Sequence, residues 1–135
     1  MEQHIEIIGV ILMVLAFVHV VFPKYFDWAS DLGSISLINR QMMYVHTFFI
    51  ALGVLLMGLL CLVSAKEIAG TMLGHKLALG MAIFWTFRLV IQFFGYSPDL
   101  WKGKGFETGM HILFSGLWVY ISVVFFAVYW SGKIL

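Results

Sequence analysis

Four runs of apolar residues, at residues 5–23, 42–63, 71–94 and 108–130, limit what this chain can fold into more than any other feature. Each approaches or exceeds the roughly 20 residues an α-helix needs to cross a bilayer. Backbone polar groups in hydrocarbon must be satisfied within their own segment, so a run of that length reads as a helix. Composition agrees: 62% of the residues are hydrophobic and 11% charged, against about half and about a quarter in a soluble domain. Such a chain cannot clothe a soluble globule in polar surface. The expected fold is all-α, a four-helix transmembrane bundle running up-down-up-down. Residues 1–135 are read as a single integral membrane domain, multi-pass, with the lipid bilayer as its solvent.

The ends of these runs carry their own signals. Glu6 sits near the start of the first, and Pro23 is expected to close it, because proline removes a donor from the helical ladder. The segment Met1–Glu6 lacks the basic region of a signal peptide, so the first run is expected to be retained as a span. Connections alternate long, short, long. Residues 24–41 and 95–107 share a long-loop side; residues 64–70 and both termini share the other. In the first long loop Tyr25, Phe26, Trp28, Leu32, Ile35 and Leu37 are interleaved with Asp27, Asp31 and serines, the pattern of a short interfacial segment. Tyr96 and Trp101 form a comparable aromatic anchor in the second, among Pro98, Gly103 and Gly105. Lys24, Arg40, Lys102 and Lys104 face Lys66, Lys76 and Lys133 across the bilayer, too even a division for positive charge to set the orientation.

Several chemistries are disfavoured. A net charge of +1 without a basic cluster leaves no nucleic-acid footprint. Cys61, the single cysteine, rules out an intrachain disulfide and any multi-cysteine zinc or iron–sulfur site. There is no Gly-rich phosphate loop, Gly-x-Ser-x-Gly elbow or HExxH pair, so hydrolysis has little support. Gly and Pro do not interrupt paired spans in corresponding positions, as they do in many transporters.

What remains is a polar layer. His19 and His111 lie about 5 Å inside the long-loop face and His46 about 6 Å inside it. Arg88 lies about 9 Å from that face, with Gln92 one turn nearer the surface. Glu107, His111, Ser115 and Ser122 fall on one helical stripe, and Asn39, His46 and Gly53 on another. Polar stripes in membrane helices usually face the interior or a wet cavity, so both are expected inward. Gly53, Gly109 and Gly116 beside them would admit a neighbouring backbone or a flat cofactor.

This layer suggests a small membrane redox protein binding a b-type haem and passing electrons to or from a quinone or a partner subunit. His46 and His111 are the candidate axial ligands, Arg88 or Arg40 the partner of the propionates, and His19 a third ligand or a hydrogen-bond donor. His19, His46, His111 and Glu107 would alternatively make a four-ligand set for zinc, iron or copper. Against both stands a plainer reading, in which the histidines satisfy loop carbonyls and Arg88 pairs with Glu107. The chain is then a cofactor-free accessory subunit of a larger membrane complex, or a homo-oligomer.

His75 lies about 6 Å inside the opposite face, some 20 Å from the layer. A second haem between His4 and His75 competes there with an exposed His4 and a capped His75 beside a snorkelling Lys76. Trp85 and Trp118 lie at similar depths and either flank a ring or pack together. Met42, Met43, Met57, Met72 and Met81 form no copper-binding run and read as adaptable packing.

Overall fold

A computed structural model of the chain describes residues 1–100 and 103–134. Trp101 and Lys102, expected to anchor and to charge the second long loop, lie outside the described residues. The described elements are α1 (Glu2–Tyr25), α2 (Trp28–Asp31), α3 (Leu37–Val63), α4 (Ala65–Gly70), α5 (Met72–Phe94), a 3-10 turn (Pro98–Leu100) and α6 (Gly105–Ile134), with no strand among them. α1, α3, α5 and α6 are each long and apolar enough to cross a membrane. The protein is therefore an integral, multi-pass membrane protein of all-α class, in keeping with the expected four-helix bundle. Its spans keep large apolar side chains exposed, such as Val14 and Phe17 on α1 and Phe48 and Phe49 on α3, as contact with lipid requires.

The helices outrun the apolar segments. α3 starts five residues before the expected Met42, because Ser36 caps it by accepting from the Asn39 N–H. Hydropathy marks where hydrocarbon begins, whereas a cap marks where the helix begins. Pro23 does not end α1, which continues to Tyr25. A proline in the last turn removes one hydrogen bond, and the Phe26 N–H still reaches the Phe22 carbonyl at 2.9 Å. The chain turns at Asp27, held in the left-handed region at φ 51°. The segment expected between the first two spans is α2, with Trp28 buried edge-on to Tyr44 at 5.4 Å. The short connection at 64–70 is not a plain loop but the helix α4, which buries Ala65 and Ile68. Thr71 then caps α5, accepting from the Gly74 N–H at 2.9 Å.

The chain divides into two compact units, one of residues 6–65 and one of residues 1–5 together with residues 66 onward. In the first, α1 and α3 meet at two glycines. A methyl group at Gly58 would lie 2.8 Å from the Gly9 carbonyl oxygen, and one at Gly9 would lie 2.9 Å from the Gly58 carbonyl oxygen. In lipid, helix association gains nothing from leaving water, so close backbone approach of this kind supplies the dispersion contacts that hold two spans together. The glycines singled out from the sequence are elsewhere: among the described residues, nothing lies within 4 Å of where a side chain on Gly53, Gly109 or Gly116 would begin.

In the second unit α5 and α6 pack together. Among their buried residues, Ala78, Met81, Ala82, Trp85 and Gln92 on α5 and Trp118, Ile121, Ser122, Phe125 and Val128 on α6 each fall on one helical stripe. This helix pair carries the polar groups described next.

Candidate functional site

Arg88 and Gln92 are four residues apart on α5 and so point from the same face, with Trp85 three residues before them. On α6, His111 and Trp118 stand seven apart on a matching stripe. The two stripes meet. Arg88 Nη1 donates to Gln92 Oε1 at 3.2 Å, and Gln92 Nε2 lies 2.9 Å from His111 Nδ1. Gln92 is buried and Arg88 and His111 are half-buried. The guanidinium also lies over two rings, 5.0 Å from Trp118 and 5.5 Å from Tyr96. Each cation–π contact is worth about 0.5–2 kcal/mol, more as water is excluded. A lone charge in a spanning helix costs at least about 2.5 kcal/mol. An amide and two aromatic faces offset that cost here. Glu107, the carboxylate expected to pair with Arg88, is exposed instead.

Beneath the guanidinium the rings form a stack. Trp118 lies 5.1 Å from Trp85 with 12° between their planes, and Phe114 stacks on Trp118 at 5.8 Å. The tryptophans therefore do not flank a third ring; they touch, at the spacing of a direct aromatic pair. Both indole N–H groups and the Ser122 hydroxyl are buried without a hydrogen-bond partner among the described residues. Phe93 meets His111 edge-on at 5.6 Å, and the Ser115 hydroxyl is spent on the His111 carbonyl at 2.7 Å. Of the expected stripe Glu107, His111, Ser115 and Ser122, only His111 thus presents a side chain to the network.

The other candidates are in the unit of residues 6–65. His19 is half-buried, and its Nδ1 lies 2.8 Å from the Leu15 carbonyl. A carbonyl only accepts, so Nδ1 carries a proton, and in the neutral ring the lone pair is on Nε2. His46 is exposed rather than turned inward, as is Asn39 on the same stripe. The buried side of α3 is the line of Val54, Gly58 and Cys61, about 80° around the helix from His46. α3 is apolar on every face, so one imidazole could not show which side packs. Arg40 is half-buried in the second turn of α3. Among the described residues of either unit, no three His, Cys, Asp or Glu side chains are arranged to hold a metal ion.

Toward the other end of α5, His75 Nε2 donates to the Ala69 carbonyl at 2.7 Å, and its ring packs against Gly132. His4 is exposed, with Nδ1 2.8 Å from the Tyr120 hydroxyl. Each ring is thus engaged with a protein partner, the capped His75 and exposed His4 of the plainer reading.

Arg88, Gln92 and His111 share one layer in the sequence, but nothing in the sequence alone marks Gln92 as the link between the other two. The signal for Gln92 is only an amide four residues from an intramembrane arginine. Tyr96, expected as an interfacial anchor, also lies against Arg88. No protein-family model, curated protein or solved structure matches the chain.

Proposed function

We propose that this is a small integral membrane redox protein whose α5–α6 pair receives the polar head of a lipid-soluble quinone. The observation that carries the reading is the Arg88–Gln92–His111 network, a cation and an imidazole linked through an amide inside two spanning helices. Intramembrane ionisable residues are rare and costly, and they mark substrate and proton pathways more often than packing. A quinone head offers two carbonyl acceptors on a flat ring, and its isoprenoid tail belongs in lipid. Arg88 supplies donors for a carbonyl, His111 supplies a group that carries or passes a proton, and the ring of Phe93 beside His111 supplies an apolar edge.

A second reading keeps a b-type haem, and one observation favours it: the His19 tautomer leaves Nε2 as a lone pair. In that case His19 and His46 are the ligand candidates within the unit of residues 6–65, with Arg40 for a propionate, and His111 with Arg88 is the candidate within the other unit.

One preparation tests these together. The protein is extracted gently from its native membrane, its absorption spectrum recorded oxidised and dithionite-reduced, its metals measured, and its co-purified lipids analysed by mass spectrometry. The quinone reading expects a stoichiometric quinone that is lost on Arg88→Leu. Sharp reduced bands without quinone turn the assignment to haem, and a stoichiometric metal without such bands turns it to a metal site. Finding none of the three makes the chain a cofactor-free accessory subunit of a larger assembly.

A further inference from the structure

We infer that the charge of Arg88 stabilises the singly reduced, anionic form of the quinone, so that the site takes its substrate through one-electron steps. The inference rests on the quinone reading for the identity of the ligand. It follows from what surrounds the guanidinium. Among the described residues no carboxylate pairs with Arg88; Gln92 accepts its one hydrogen bond, and the rings of Tyr96 and Trp118 lie against its charge. An amide and two rings carry no net charge, so they lower the cost of the cation without cancelling its field. A guanidinium has five N–H donors. Arg88 gives one to Gln92, and none of the others is sealed inside the helix pair as the Trp85 and Trp118 indole N–H groups are. The other charges of this unit stand apart. On α5, His75 and Lys76 are more than three turns away toward the opposite end. Lys104 and, on α6, Glu107 are exposed, and Lys133 lies in the last turn of α6. His111 and Tyr96 are the titratable neighbours within the layer.

A quinone and its quinol are both neutral, and only the form between them carries charge. The quinone accepts one electron from a one-electron carrier, such as a haem or an iron–sulfur centre of a partner protein, and becomes the semiquinone anion without gaining a proton. A second electron and two protons then complete the quinol. A fixed cation attracts the middle species and neither end. Its pull is inversely proportional to dielectric, so it is stronger inside a pair of spanning helices than in water. Donor hydrogen bonds do not make this distinction, because quinone and quinol oxygens both accept them. Without such a charge the singly reduced form disproportionates back to quinone and quinol.

The test uses the full chain in lipid nanodiscs with decylubiquinone, at a concentration that saturates the quenching of tryptophan fluorescence. The sample is poised over a range of potentials with one-electron mediators, and the organic radical is counted by electron paramagnetic resonance. The wild type is expected to hold a radical at intermediate potentials that empty nanodiscs do not. Arg88→Gln keeps N–H donors at the position but loses the charge. It is expected to lower the formation constant of the radical about a hundredfold or more: about tenfold for each semiquinone, less than a unit charge at contact provides at an effective dielectric of about 20, and the radical enters that constant squared. A readout on the wild type alone guards against a variant that misfolds. Addition of an electron without a proton leaves the midpoint of the first step unchanged from neutral to mildly alkaline pH. A first midpoint that falls with pH, no radical in the wild type, or a wild-type radical yield in Arg88→Gln overturns the inference. If quenching saturates and no radical forms, the docking reading stands and this inference alone fails; if quenching never saturates, both fall.

Discussion

An amide is the uncharged side chain able to accept from a guanidinium at one end and donate to an imidazole at the other, and Gln92 is placed to do both. Replacing it with leucine leaves Arg88, among the described residues, to the faces of Tyr96 and Trp118 and strips His111 Nδ1 of this donor. Gln92→Leu is expected to lower stability by about 1–3 kcal/mol, the cost of a buried polar group left unsatisfied. The check is thermal unfolding in detergent, and a melting temperature equal to the wild type would mean the network contributes nothing to the fold. Arg88→Lys is expected to recover little, since an ammonium lacks the planar fork that spans an amide and two rings. At this scale the sequence was only partly legible. Histidines and charges announce themselves, so Arg88 and His111 were placed in one layer, but a glutamine becomes visible as a link only when a second helix brings an imidazole to it.

Helix ends and helix faces separate what could be read from what could not. The four spans were legible because the bilayer demands length and apolarity of each independently. Their ends were not, because Ser36, Thr71 and the left-handed Asp27 act through local backbone geometry that hydropathy does not register. Ser36→Ala is expected to cost about 1 kcal/mol through loss of the α3 cap. Faces were harder still: α3 is apolar all round, and its packed side is set by Gly58, not by where His46 falls. Gly58→Leu is therefore expected to drive α1 and α3 apart and to reduce the yield of folded protein, whereas Gly53→Leu, with open space around it, is expected to be tolerated. Size-exclusion profiles and unfolding midpoints of the two variants in detergent distinguish them, and equal damage from both would show that the glycine crossing does not organise the pair.

For the molecule as a whole, apolar surface belongs to lipid and the few polar groups must answer for their presence. Arg88, Gln92 and His111 satisfy one another across α5 and α6, and they do so beside a stack of Trp85, Trp118 and Phe114 that reports on anything bound nearby. Docking of a quinone head at this network, as proposed, is tested most directly by fluorescence quenching. Decylubiquinone is titrated into nanodiscs holding the wild type, Arg88→Leu or His111→Phe, with empty nanodiscs containing free tryptophan analogue as the partitioning control. Saturable quenching is expected in the wild type, with a Kd raised about tenfold or more in each variant, the worth of one charge-assisted or ring hydrogen bond. Quenching that is linear in quinone, or that saturates identically in all three proteins, would contradict it.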